Sequence, residues 1–465
     1  MKREKFITTI RNMIVPAGML VYLTLLLACE TQSKEIVPVE RGTETSSVLD
    51  SLDISPEFTW KTTKVVSFSF DAVSYNPGFY SKIAIRNEDG DEILSGGAGN
   101  NIMFVDKLSI ASGQTSLSVM CTFPSGNRME KTFTISDAEI AFTFNENAIE
   151  SKSITMQITD SDGDGVPDDL DDYPNNKNGA YTSFSPDGKS YGTLLFEDNW
   201  PVKGDYDFND LVMRVGVIYV TKGNNKVFFM KLLLRVKAAG AGYDNGFGVW
   251  LPEISKDDLS GATVKKIVYE PKAIVECPDG DWSYVLPEVP NPDNLPVEEG
   301  QGDKVVVMAI DNIDDVIIQE DPAGDWAFNT KRDGNNGIGK RVELNFWFKD
   351  LTSIQVNSLN CESMNFFMTK NQDRTTEIHL RNQAPTDKMN SSLFGTRDDY
   401  SVPSEDTYYI TSSNLPWAIY VGADITWPLE YINVLQAFPE FEGWATSGGT
   451  SNTDWYEHPE SSKVW

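Results

Sequence analysis

From residue 60 onward, apolar and polar positions alternate with a period of two. Val66, Phe68, Phe70 and Ala72 face one way and Ser67, Ser69 and Asp71 the other, and Phe133, Ile135, Phe142 and Phe144 repeat the pattern. Successive side chains of a strand point to opposite faces, so these runs predict half-buried strands. Turn-forming clusters such as Asn76-Pro77-Gly78, Asp89-Gly90 and Pro124-Ser125-Gly126 separate them at the spacing of a sandwich. Residues 51–150 are therefore expected to form an immunoglobulin-like β-sandwich.

The same alternation resumes with longer strands: Phe228, Met230, Leu232, Leu234 and Val236, then Val305 to Ile310, then Val342, Leu344, Phe346 and Phe348. A larger β-sandwich domain is expected over residues 179–465. Near its end Pro428 opens Leu429, Ile432, Leu435 and Phe438 at helical spacing, and Pro439 can start a further turn, which predicts one or two short C-terminal helices. The fold class is all-β, with residues 151–178 as an acidic junction between the two sandwiches.

The first segment reads differently. Lys2, Arg3, Lys5 and Arg11 form a basic region ahead of an apolar run from Met13 to Ala28 that is shorter than the ~20 residues needed to span a bilayer, so residues 1–28 read as a secretion signal. Leu26-Leu27-Ala28-Cys29 resembles a bacterial lipobox, which implies acylation of Cys29 and anchorage to outer-membrane lipid. Residues 29–50 are polar and suit a flexible tether. Glu30 stands where surface lipoproteins of the Bacteroidetes carry acidic residues, so the resemblance extends to outward display on the cell envelope.

Charge narrows the partners. Lys and Arg number 39 and Asp and Glu 69, a formal net charge of −30. A surface this negative repels polyphosphate, so no nucleic-acid partner is expected and divalent cations are the natural counterions. Cys121, Cys277 and Cys361 form no disulfide framework, and alternation places Cys121 in the core.

The strongest chemical signal is D-S-D-G-D-G-V-P-D-D-L-D at residues 160–171. Asp160, Asp162, Asp164, Asp168 and Asp171 place side-chain oxygens at loop positions 1, 3, 5, 9 and 12, and the Val166 carbonyl can serve position 7. A hard cation takes about 6 to 8 oxygens at ~2.3–2.6 Å, and alternate side chains of a tight loop converge on one point, so calcium is the expected cofactor. Gly165 at position 6 permits the sharp turn. No helical pattern flanks the loop, which resembles a thrombospondin type 3 calcium repeat with Tyr173 where that family carries cysteine. Without metal, clustered carboxylates oppose compaction, each pair by ~1 kcal/mol at 4 Å in bulk water.

A second metal constellation lies in FEDNWPVKGDYDFNDLV, where Asp205, Asp207 and Asn209 alternate with Tyr206 and Phe208, and Glu197, Asp198 and Asp210 stand nearby. In an extended chain the oxygens would share one side while the aromatic rings pack inward; a polar edge with turn chemistry is the competing reading. Gly240, Gly242, Gly246 and Gly248 do not fit a phosphate loop and are expected to serve tight turns.

Those two acidic segments, followed by Ala238 to Leu251, Glu377-Ile378-His379-Leu380 with Pro385-Thr386, Phe394-Gly395-Thr396 with Asp398-Asp399, Leu415-Pro416-Trp417-Ala418-Ile419 and Asp454-Trp455-Tyr456, resemble the LruC-domain family over about residues 155–457. That family consists of exported bacterial proteins, often lipoproteins, so the resemblance implies location and architecture and leaves activity open. The expected function is a lipid-anchored, calcium-binding, non-catalytic binding or adhesive module for glycan or surface protein. The alternatives are a glycan-directed hydrolase, which needs two carboxylates at set separations, and a structural subunit of a surface assembly. No GxSxG, HExxH, P-loop or zinc CxxC pattern is present. His379 reads as a surface or hydrogen-bonded residue beside Glu377, and Trp417, Trp427, Trp444 and Trp455 read as packing residues before sugar platforms.

Overall fold

The computed structural model describes residues 46–136, 139–149, 157–267, 289–290, 294–319, 327–349 and 354–465. The signal segment, Cys29, most of the tether and Cys277 lie outside the described residues. Among the described residues no helix is long and apolar enough to cross a membrane.

The N-terminal strands are β1 (Thr63–Val73), β2 (Ser81–Arg86), β3 (Glu92–Ala98), β4 (Phe104–Ala111), β5 (Ser116–Thr122), β6 (Arg128–Thr134) and β7 (Ile140–Asn145). In one sheet β1 lies between β4, its antiparallel partner, and β7, its parallel one; the other sheet runs β3-β2-β5-β6. Alternation governs the packing: Val66, Phe68, Phe70 and Ala72 are buried against Ile83, Ile85, Phe104, Val119, Cys121 and Phe144. Each large apolar side chain buried this way stabilises the fold by roughly 1.5–3 kcal/mol.

The larger domain contains β8 (Tyr181–Ser185), β9 (Gly192–Phe196), β10 (Leu211–Thr221), β11 (Val227–Ala238), β12 (Gly246–Ser255), β13 (Leu259–Ile267), β14 (Lys304–Ile310), β15 (Ile317–Gln319), β16 (Gly337–Gly339), β17 (Arg341–Phe348), β18 (Asn365–Thr369), β19 (Glu377–His379) and β20 (Ala418–Val421). A seven-stranded sheet runs β13-β17-β11-β10-β9-β20, with β8 also pairing β10, and a four-stranded sheet runs β14-β12-β18-β19. Leu232, Leu234, Val236, Phe247, Val249, Val305 and Val307 share the core between them. The strand β11 is also covered on its second face, where Phe229 packs with Val220 and Trp347, so alternation describes only half of its burial. This all-β, two-sandwich arrangement is the expected fold class.

Short helices gather at one place. α1 (Ser46–Asp50), α2 (Val434–Ala437) and α3 (Phe441–Thr446) adjoin an aromatic cluster in which Leu49, Ile54, Phe58 and Trp60 pack with Phe438, Phe441, Trp444 and Trp455. The Trp60 and Trp444 ring centroids are 5.6 Å apart, and Trp60 Nε1 donates to the Asn414 carbonyl at 2.7 Å. Residues 46–62, expected as the end of a tether and the start of the first sandwich, are thus docked on the C-terminal segment. Four large apolar side chains without strand periodicity need a surface to cover them, and the C-terminal aromatics supply it.

The two sandwiches meet along β3 and β8. Ser95 N–H donates to Ser183 Oγ at 2.9 Å, and Gly97 N–H and carbonyl engage the Asn225 side-chain amide. Gly97 permits this approach, since a Cβ there would meet the Gly223 carbonyl and the Tyr181 hydroxyl.

Candidate metal centres

The acidic loop turns where its glycines allow. Gly163 and Gly165 adopt φ of +79° and +93°, a region that side chains disfavour. The carboxylates organise the turn by accepting backbone N–H groups: Asp160 from Gly163 and Gly165, Asp162 from Asp164, and Asp164 from Val166. One oxygen each of Asp160, Asp162 and Asp164 lie within 4.8 Å of one another. Asp171 accepts the Tyr173 N–H at 2.6 Å through Oδ1. The Oδ2 atoms of Asp162, Asp164 and Asp171 are buried with no hydrogen-bond partner, which is costly for an anionic oxygen unless a cation meets it. Asp168 is placed differently, with both oxygens on Ser161, one on its N–H and one on its hydroxyl, each at 2.7 Å.

Electrostatics agree with the geometry. Burial, opposed by the Val166 N–H and reinforced by Asp162 and Asp160, pushes Asp164 up to about 6. Burial also raises Asp171 to about 7, with Asp164, Asp162 and Asp172 adding to the rise, so Asp171 shares the field of the other carboxylates. The loop is wedged between the sandwiches: the Val166 side chain packs with Tyr80 of the first and Tyr181 of the second, and Tyr80 N–H donates to the Gly165 carbonyl at 2.9 Å. Lys82 of β2 pairs with Asp172 at 2.7 Å just beyond it.

The second constellation is built on a loop between β9 and β10. The expected extended run is replaced by an irregular chain in which Tyr206 and Phe208 take φ of 58° and 51°, uncommon for bulky side chains. That conformation still buries both rings and brings Asp205 and Asp207 to Glu197, with ligand oxygens within 4.8 Å of one another. It also aims the Phe208 N–H at Glu197 Oε1, at 2.7 Å. Asn209 is fully buried, with Nδ2 donating to the Pro428 carbonyl at 3.1 Å. Asp198 and Asp210 bond beside the cluster: Asp198 N–H donates to Asp210 Oδ2 at 2.7 Å, and Asn245 Nδ2 donates to Asp198 Oδ2 at 3.1 Å. Burial first, then the neighbouring carboxylates, holds Glu197, Asp207 and Asp210 well above the usual range.

His379 is hydrogen-bonded, to Glu377 at 2.9 Å and Asn365 at 2.6 Å, but it is fully buried between the rings of Phe367 and Tyr409 and has no access to solvent. Trp417, Trp427, Trp444 and Trp455 are all buried and pack in the interior. Gly246 and Gly248 lie within β12 and Gly240 lies just after β11; at each a Cβ would collide with a neighbour, so close approach replaces the expected role in turning. An open cleft of about 500 Å³ went unread in the sequence because both sandwiches wall it, with Glu88 and Ser109 on one side and Asp187, Glu362, Tyr420 and Tyr456 on the other.

Residues 225–456 match the DUF4842 family, described as a domain of unknown function. The DUF4842 match begins just before β11 and ends after α3, downstream of both acidic segments. The chain is similar in fold to the crystal structure of a "Putative lipoprotein from Bacteroides ovatus", with 17% identity, a TM-score of 0.50, and coverage of 76% of this chain and 90% of that one. A structure of carbohydrate-binding modules of the β-sandwich superfamily aligns at 10% identity over 63% of this chain and 93% of that one, but a TM-score of 0.11 is no structural likeness. No curated protein matches the chain.

Proposed function

We propose that the chain is a lipid-anchored protein of the bacterial cell envelope, related to the LruC-domain proteins, in which calcium braces two β-sandwiches into a non-catalytic binding module for glycan or protein at the cell surface. One observation carries this reading: the Asp160–Asp171 loop is wedged between the sandwiches and presents three buried carboxylate oxygens that no donor among the described residues meets. A cation among them would relieve the crowded charge and fix the junction. The cleft walled by both sandwiches would then keep one shape, and its carboxylates and hydroxyls suit a ligand rich in O–H or N–H donors. The lipobox-like Leu26-Leu27-Ala28-Cys29 supports anchorage, and the fold likeness to a protein described as a lipoprotein is in keeping with it.

Glycan-array binding with and without a calcium chelator, run beside a glycosidase screen, tests the proposal. The expected result is binding that the chelator abolishes, with no turnover. Turnover lost on changing one carboxylate of the cleft would replace the binding module with a hydrolase.

A further inference from the structure

We infer that Glu197, Asp205 and Asp207 form a second, interior calcium site, with Glu430 beside Asn209 at its edge, that fastens the C-terminal segment to the seven-stranded sheet. Glu197 directly follows β9, Asp205 and Asp207 lie on the loop before β10, and Glu430 lies just before α2, so the site joins segments far apart in sequence.

Two unpartnered oxygens define it. Glu197 is completely buried; its Oε1 accepts the Phe208 N–H, and its Oε2 has no hydrogen-bond partner. Asn209, equally buried, has its Oδ1 without a partner while its Nδ2 is fixed by the Pro428 carbonyl. A desolvated carboxylate oxygen with no donor is costly unless it takes up a proton or meets a cation, and three carboxylates with oxygens within 4.8 Å of one another offer a cation its ligands. Two glycines keep the space clear. At Gly204 a Cβ would overlap Glu197 Oε2, and at Gly240 it would run into Asn209 Oδ1 and, at 2.8 Å, Glu430 Oε2. The shared collision at Gly240 places the oxygens of Asn209 and Glu430 side by side.

The donor set is all oxygen and strongly anionic, the preference of a hard cation. Calcium tolerates irregular geometry and mixed carboxylate and amide donors, whereas magnesium demands near-octahedral order and keeps several waters, for which a glycine-lined interior leaves little room. The surrounding bonds show what the ion would hold. Tyr431 N–H donates to Asp207 Oδ2 at 2.9 Å, Val434 N–H to the Tyr206 carbonyl at 2.8 Å, and Thr330 Oγ1 to Glu430 Oε2 at 3.2 Å. The inference is independent of the junction loop.

The test uses the full chain, stripped with chelator and reloaded with calcium, in an Asp162→Ala/Asp164→Ala background that removes the junction loop from the count. Bound metal measured by mass spectrometry should be one calcium per chain. Adding Glu197→Gln or Glu430→Gln should weaken that uptake at least tenfold. Amide exchange over residues 428–437, read in the same background without further substitution, should quicken on chelation and slow on calcium but not magnesium. No calcium in that background, wild-type uptake by the Glu197→Gln and Glu430→Gln variants, or exchange indifferent to calcium would each overturn the site. Loss of protection only in variants that fail to fold is covered by the exchange measurement, which needs neither of them.

Discussion

The two acidic centres differ in how the chain assembles them. The junction loop collects its carboxylates from one run of residues, half exposed, between two sandwiches. The interior cluster brings Glu197 together with Asp205 and Asp207, with Glu430 nearby from a distant segment, and Glu197 has no contact with solvent. A site made from consecutive residues can bind an ion while most of the fold is indifferent, and extracellular calcium modules of that kind have dissociation constants of ~10⁻⁴ to 10⁻³ M. A site made from distant segments exists only when they are already together, so an ion bound there would be part of tertiary stability.

Three perturbations sharpen the contrast. The largest effect is expected from Asp162→Ala combined with Asp164→Ala, which should weaken calcium uptake at the loop about a hundredfold, roughly 2.7 kcal/mol, and raise protease sensitivity between residues 157 and 180. Calorimetry of calcium binding checks it, and an unchanged titration would remove the loop from the account. A smaller effect comes from pH. In the metal-free chain Asp171 stands at about 7 and Asp164 at about 6, both above the value of ~3.9 expected when unfolded. The protons they hold stabilise the metal-free fold in acid, and that contribution is lost as pH rises from about 4 to about 7. Calcium bound at the loop would compete for the same oxygens, so its affinity should fall as pH drops from 7.5 to 5; a pH-independent affinity would assign the binding to other groups. The smallest effect is expected from Asp168→Ala. Because Asp168 is engaged by Ser161 and not by the carboxylate cluster, calcium affinity should change less than about threefold, below ~0.7 kcal/mol. A larger loss would restore Asp168 as a ligand.

What could be read from the sequence follows the same division. The alternation in β1 and the turn clusters specified the first sandwich because each signal is local and each buried face repeats every second residue. The acidic loop was legible for the same reason, since spacing and a glycine at the sixth position are visible in twelve consecutive residues. Glu430 carried no local sign, because its role depends on a contact with the loop before β10. Gly240 was the available hint: a glycine where no positive φ is required marks a close approach, here to Asn209 and Glu430. Of the two readings offered for His379, hydrogen-bonded holds and surface does not, because period two assigns faces within a strand and cannot report that Tyr409 covers the second face of β19.

The docking of Leu49, Phe58 and Trp60 against Phe441 and Trp444 has a consequence for the order of events in folding. A chain delivered N-terminus first presents these side chains long before their partners arrive, so the first sandwich must close on its own strands while its leading segment stays solvated. Completion waits for Phe441 and Trp444 to emerge, and closing a loop of that length adds only a modest, logarithmic entropic cost. Folding of such a chain would therefore end with a late step in which residues 49–60 and the segment around Phe441 and Trp444 seal together.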